Sequence, residues 1–435
     1  MKILLIGFIV LAAVVALSLS LARHLNASKA PPKIGPEWSA WQAGDILETE
    51  RLSVDALSQN ETDDHARHAY ILACSGLGRF EEAISEYNAL SSDYPHLPEL
   101  DETALWSYVW IGDIDSAIAF AEKRGLLSSP STREQLRLAA DHPFLLEADG
   151  VTELPFTEDG FSQYMPGVDA QLNGHAVIAR IDTGGSFIHM TRSQAKDFGV
   201  SFSGCERNFA ALTFSSICYG QANLRLGEAH LINVPVAVHK DSTLPTSAIA
   251  EAFDAPLGVI IGTNVFRQFM TTVDAPRKRL LLSPRGDMAA KTEHMARLPD
   301  TIGKADFFVV GDHFIIARGR IGNGPLVPLF VDSGLAAFNP TQGQASLLAP
   351  ESALGGWGAE KPAPGSFAPL PAEVMLGSMA AAQMTVLPVT DKTWRNGFGD
   401  WQGVEVEALI SYGFLKNWAW TLDFDQNAIV FHSAD

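Results

Sequence analysis

The chain repeats itself. Asp182-Thr183-Gly184 and Asp332-Ser333-Gly334 stand 150 positions apart, each behind a run of apolar residues. Asn173-Gly174 and Asn323-Gly324 keep the same offset upstream. Downstream, Ile260-Ile261-Gly262 answers to Leu409-Ile410-Ser411, and Val273-Asp274 to Leu422-Asp423, at an offset of 149. A common order over about 120 residues is an internal duplication. It requires two halves of like architecture, so the triplets are corresponding points of those halves.

Asn-Gly between apolar alternations is a strong hairpin signal, because both turn residues tolerate positive φ. Each Asp is therefore expected on the returning strand of a hairpin. A carboxylate at the end of a buried strand, followed by a hydroxyl residue and Gly, is presented in a tight loop. A single such triplet is weak; two, embedded in a duplication, can set two carboxylates on one water. Carboxylates a few ångströms apart cannot both ionise, so the pair holds one proton and titrates as a unit. The ionised member acts as general base on the water, and the protonated one donates to the scissile carbonyl. The competing reading is that one or both Asp residues only cap turns.

These segments resemble the two lobes of a pepsin-like or retropepsin-like aspartic peptidase, over residues from about 150 to 435. The resemblance implies an all-β bilobal fold, with lobes at 150–290 and 300–435. It implies Asp182 and Asp332 as the catalytic pair, with no metal and no cofactor. It implies that Thr183 and Ser333 bond across the loops, and that Gly184 and Gly334 let the backbones approach. Ser411 where Gly is expected, Leu335 after the second triplet, and Gly185 after the first depart from the family pattern. Ser411 in particular adds a Cβ at a close crossing. The rival reading is a peptidase fold that binds peptides without cutting them.

The stretch Thr213–Gly227 alternates apolar and polar residues and suits a hairpin. It is read either as a flap over substrate, with Tyr219 and Gly220 as its substrate-binding residues, or as a plain hairpin with Tyr219 packed on its own lobe. Cys205 and Cys218 fall at the base of this hairpin, where they can pair in an oxidising compartment. Cys74 reads as a buried thiol. Residues 355–371, rich in Gly, Ala and Pro, read as an irregular loop over the second half of the cleft.

Upstream the pattern changes. Gly44-Asp45-Ile46, Gly78-Arg79-Phe80 and Gly112-Asp113-Ile114 recur at a spacing of 34 residues. That is the tetratricopeptide period, so residues 36–145 resemble a short stack of such α-helical repeats. The region serves either to dock a protein partner or substrate, or as a helical cap on the lobes.

Residues 3–22 are almost wholly apolar behind Met1-Lys2, long enough to span a bilayer. Residues 1–25 are expected to be a signal anchor with the bulk of the chain outside the cytoplasm, in the periplasm of a bacterium. A cleaved signal peptide and a secreted product is the alternative. Arg23, Lys29 and Lys33 lie beyond the span, so counting basic residues alone favours the opposite orientation. A net charge of −19 without basic clusters argues against nucleic acid. The 12 His residues show no metal-ligand spacing and read mostly as surface residues.

Overall fold

The computed structural model describes residues 9–11 and 35–434, apart from 96, 211–212, 245, 340, 364–365 and 398–400. Seven α-helices come first: Pro36–Gln42, Ile46–Gln59, Asp64–Gly76, Phe80–Asn88, Pro98–Trp110, Ile114–Arg124 and Pro130–Asp141. Gly44, Gly78 and Gly112 sit between paired helices with φ of 66°, 78° and 80°. Glycine enters this left-handed region without the Cβ penalty. The Asp that follows two of them caps the next helix: Asp45 accepts from the Glu48 N–H and Asp113 from that of Ser116. The 34-residue spacing thus marks turns of helical hairpins, and the tetratricopeptide likeness rests on that spacing alone.

The helices do not stand apart. Trp38, Trp41, Ile46 and Ile71 share one buried cluster with Phe308, Val310, Phe314 and Phe330 of the second half. Trp41 Nε1 donates to the Gln402 carbonyl at 2.9 Å, Arg318 pairs with Asp45, and Asn427 Nδ2 donates to the Leu77 carbonyl at 3.0 Å. At the far end, Ser129 and Ser131 both donate to Glu206 of the first half, at 2.7 and 2.5 Å. The helical region therefore braces both halves.

Strands dominate from residue 145 onward. In the first half, Gly167–Leu172 and His175–Asp182 form a hairpin closed by Asn173 and Gly174, with φ of 48° and 83°. The second hairpin, Phe314–Ile321 with Val327–Asp332, differs from expectation. Its connection is longer than Asn323-Gly324, and Gly322 takes the positive φ of 61°. Pro325 lies in that connection, and Pro328, opposite Arg318, carries no N–H to give to the ladder.

In each half a later strand threads parallel beside the Asp strand. Val259–Gly262 pairs with His175–Asp182 so that Gly262 lies opposite Asp182, and Ala408–Ser411 pairs with Val327–Asp332 so that Ser411 lies opposite Asp332. The halves are joined where Phe269–Asp274 runs antiparallel to Ala419–Asp423. There Thr272 and Thr421, 149 residues apart, hydrogen-bond through their hydroxyls at 2.6 Å. One sheet of 14 strands continues through this junction.

No helix among the described residues is long and apolar enough to cross a membrane. The expected anchor at 3–22 lies outside the described residues except for Ile9–Leu11, whose backbone pairs with Ala336–Asn339.

Candidate active site

The duplicated triplets meet. Thr183 N–H donates to Ser333 Oγ at 3.0 Å, and Ser333 N–H donates to Thr183 Oγ1 at 2.9 Å. Each hydroxyl in turn donates to the opposite Asp strand, Thr183 to the Val331 carbonyl at 2.8 Å and Ser333 to the Ile181 carbonyl at 3.3 Å. Four bonds thus lock the two loops reciprocally. A hydroxyl is needed at both positions because it alone accepts and donates at once on so short a stem.

Inside this lock the carboxyl groups are held alike. Gly184 N–H donates to Asp182 Oδ1 at 2.7 Å, and Gly334 N–H to Asp332 Oδ1 at 3.0 Å. The Oδ2 atoms of both accept no hydrogen bond from the described residues outside the pair, and the two side chains are within hydrogen-bonding reach of each other. Asp182 is 1% exposed and Asp332 0%. A Cβ built on Gly334 would overlap the Asp182 carboxyl group, so the bare backbone there sets how closely the loops approach. Burial pushes the Asp182 carboxyl up against the pull of the Gly184 N–H. Asp332 is pushed well up by burial and then by the charge of Asp182. The two therefore titrate as one site that retains a proton where an isolated carboxyl would have lost it.

The departures have local reasons. A Cβ on Gly262 would run into the Gly185 carbonyl, so the first crossing requires glycine. At the second, Ser411 Oγ donates to the Ala345 carbonyl at 2.6 Å and accepts from Gly413 N–H at 2.9 Å. The hydroxyl occupies the tight space as a bonded group. Leu335 is fully buried in the cluster shared with the helices. A Cβ on Gly185 would meet the His189 ring at 3.2 Å, so the usual Ala or Ser would require that ring to give by a few tenths of an ångström.

His189 was not legible as part of this site. Its Nε2 accepts from Ser186 N–H at 3.0 Å, and its Nδ1 lies 3.0 Å from His239 Nε2. The network assigns a neutral His189 that donates from Nδ1. Burial and the fields of His239 and His313 push its pKa well down. The expectation of mostly surface histidines is corrected: His68, His189, His239, His294, His313 and His432 are all buried.

Of the two readings of Tyr219 and Gly220, their placement agrees with the packed hairpin. Phe202–Ala210 and Thr213–Leu226 do form a hairpin, and Cys205 and Cys218 are disulfide-bonded across it. Its strands pair out to Ala210 and Thr213, but Tyr219 sits well back along the strand opposite Ser203, 6% exposed. It packs in a cluster with Phe161, Ile217, Ile249 and Ala336. A Cβ on Gly220 would overlap the Ser201 carbonyl, which gives Gly220 a packing role. These two residues belong to the body of the hairpin. Residues 355–371, by contrast, carry little regular structure, as expected.

No family model and no curated protein matches the chain. Among solved structures it is similar to an aspartic proteinase from Irpex lacteus, with 12% identity and a TM-score of 0.40 over 65% of this chain and 97% of that one. It is similar to basic 7S globulin from soybean, with 9% identity and a TM-score of 0.41 over 66% and 96%. A retropepsin-like aspartic protease from Rickettsia conorii aligns with 15% identity and a TM-score of 0.22 over 32% and 93%.

Proposed function

We propose that the protein is an aspartic endopeptidase whose catalytic groups are Asp182 and Asp332. The observation that carries this reading is the reciprocal Thr183–Ser333 lock, which brings two buried carboxyl groups within hydrogen-bonding reach of each other. In the proposed reaction the ionised carboxyl takes a proton from water as its oxygen adds to the peptide carbonyl carbon. The protonated carboxyl gives its proton to the carbonyl oxygen, forming a neutral gem-diol. Collapse passes a proton to the leaving nitrogen, breaks the C–N bond and returns one proton to the pair. Asp182→Asn and Asp332→Asn are each expected to abolish cleavage of an unfolded protein, and a statine-type inhibitor to block the native chain. Cleavage that survives either substitution overturns the assignment. Tight statine binding without turnover would instead support the non-cutting peptide binder.

The accompanying reading is a chain tethered outside the cytoplasm through residues 3–22. The Cys205–Cys218 bond supports an oxidising compartment. Protease accessibility of a tagged protein in intact and opened cells tests it.

We also propose that the helices present substrate protein to the lobes. Leu47 and Val54, 58% and 42% exposed, lie two turns apart on one helix. Changing both to Glu should lower cleavage of a protein but not of a short peptide. Deleting residues 36–145 is the poorer test, because it would strip the cluster around Phe308 and Phe330.

A further inference from the structure

The two ends of the Cys205–Cys218 bond stand in different surroundings. The bond joins Phe202–Ala210, the outermost strand of its sheet, to Thr213–Leu226. Cys205 is exposed, whereas Cys218 is fully buried. Glu206 pairs with Ile217 and Ser203 with Tyr219, so the register slips by one residue at Gly204-Cys205 and the ladder is interrupted there. Gly204 takes a positive φ of 59°, as glycine does in one class of β-bulge. The disulfide is the tie across this irregular step, with one of its residues at the surface.

The buried end has a cation beside it. Arg192, the first residue of the helix Arg192–Asp197, directs Nη2 to Cys218 Sγ and to Ser216 Oγ, at 3.4 Å each. Its Nε is buried without a hydrogen-bond partner, and no carboxylate among the described residues pairs with the guanidinium. Asp241 accepts from the neighbouring Ser193 N–H at 2.9 Å and makes no ion pair with it. A disulfide sulfur is a weak acceptor and gives such an arginine little. A thiolate in the same place would receive a charge-assisted hydrogen bond. Burial by itself raises a thiol's pKa, and an adjacent arginine lowers it. Arg192 is therefore placed to serve Cys218 in its reduced, ionised form.

We propose that Cys205–Cys218 is a thiol–disulfide exchange site for a dithiol reductant. A thiolate of the reductant attacks the sulfur of exposed Cys205. The S–S bond breaks, and its electron pair leaves on Cys218 as a thiolate held by Arg192. The second thiolate of the reductant then attacks the reductant sulfur of the mixed disulfide, and Cys205 leaves and takes up a proton. Two electrons pass to the protein, the dithiol becomes a disulfide, and of its two protons one goes to Cys205 and one to solvent. A leaving thiol of low pKa departs faster, and a stabilised reduced form makes the bond easier to reduce. The site uses neither Asp182 nor Asp332, so it stands whether or not the chain is a peptidase.

The test equilibrates the full native chain with reduced and oxidised glutathione in set ratios at neutral pH, quenches with acid, alkylates, and assigns each cysteine by peptide mass. The bond should be reduced within the range of the glutathione couple, which leaves an ordinary structural disulfide intact. Glutathione caught in mid-exchange should sit on Cys205. Arg192→Met should shift the equilibrium toward the disulfide by about tenfold or more, for the loss of one hydrogen bond to a charged group. Arg192→Lys keeps the charge and should recover most of that shift, which a purely structural arginine would not predict. A bond that resists the glutathione couple, glutathione on Cys218, an equilibrium unchanged in Arg192→Met, or no recovery in Arg192→Lys would each overturn the proposal. The first two readings use the native chain and hold even if a variant misfolds.

Discussion

Acidifying this protein from pH 7 to 4.5 should cost its fold about 5 kcal/mol, through imidazoles alone. His239 is fully buried, and burial pushes its pKa down to about 3. His294 is held between the Thr272 and Ser283 hydroxyls at 2.7 and 3.0 Å, and burial brings it to about 4. An unfolded His titrates near 6.5. Both folded values are depressed, so as pH falls the unfolded chain takes up protons first. Their contribution to stability is present above about pH 6.5 and is lost progressively below it. At about 1.36 kcal/mol per unit over two units, each costs roughly 2.7 kcal/mol at pH 4.5. His189 acts in the same sense. The carboxyl pair acts in the opposite sense: Asp332 is raised, so its contribution is full below the unfolded value and is lost as pH rises through the folded one. His189 and the pair therefore act against one another. A loss of about 5 kcal/mol is comparable to the whole stability of many domains. The protein should therefore work near neutral pH and fail in acid. Urea midpoints at pH 7, 6, 5 and 4.5 measure this. Replacing His294 by Gln, which cannot titrate, should flatten the slope by about one proton. A midpoint independent of pH over this range, or a slope unchanged in His294→Gln, would refute the reasoning.

Three further outcomes follow from the contacts. Thr183→Val leaves the Ser333 N–H and the Val331 carbonyl unpaired in a buried site; we expect a loss on the order of 3 kcal/mol and of peptidase activity, with Thr183→Ser recovering both. Reducing the Cys205–Cys218 bond, which spans 13 residues, should lower stability by about 3 kcal/mol, read as a fall in melting temperature with reductant. Trp41→Ala should cost about 3–5 kcal/mol and lower the helical and sheet signals in a single transition, since Trp41 packs on Phe308 at 5.5 Å; two separate transitions would contradict a common core.

What the sequence disclosed was whatever repeats or has a fixed local geometry. The offset of 150 located both Asp loops, and Asn173-Gly174 fixed a turn because its φ values admit few other residues. The turn glycines at 44, 78 and 112 announced the helical hairpins for the same reason. Side chains whose role depends on packing from distant segments stayed hidden. His189 reads as a polar residue in a strand, and only the return of His239, 50 positions later, makes it a buried network. Tyr219 stayed open between two readings because alternation gives the face of a residue but not its distance from the end of a hairpin.

The two halves differ less than their sequences do. Gly185 and Ser411 look like drift when read one position at a time. The His189 ring lies 3.2 Å from where a Cβ on Gly185 would stand, so a larger residue there would press on the ring. Ser411 is tolerated because its hydroxyl gains two hydrogen bonds that a glycine there would forgo. Glycine returns two positions later, where a Cβ on Gly413 would meet the Ala345 carbonyl at 2.7 Å. The need for a bare backbone has moved along the chain while the crossing opposite Asp332 persists. A half that had lost its task would be expected to lose the Gly334 approach and the Ser333 hydroxyl first, since both restrain the Asp182 side of the site. Both are in place, and Ser411 lies opposite Asp332 as Gly262 lies opposite Asp182.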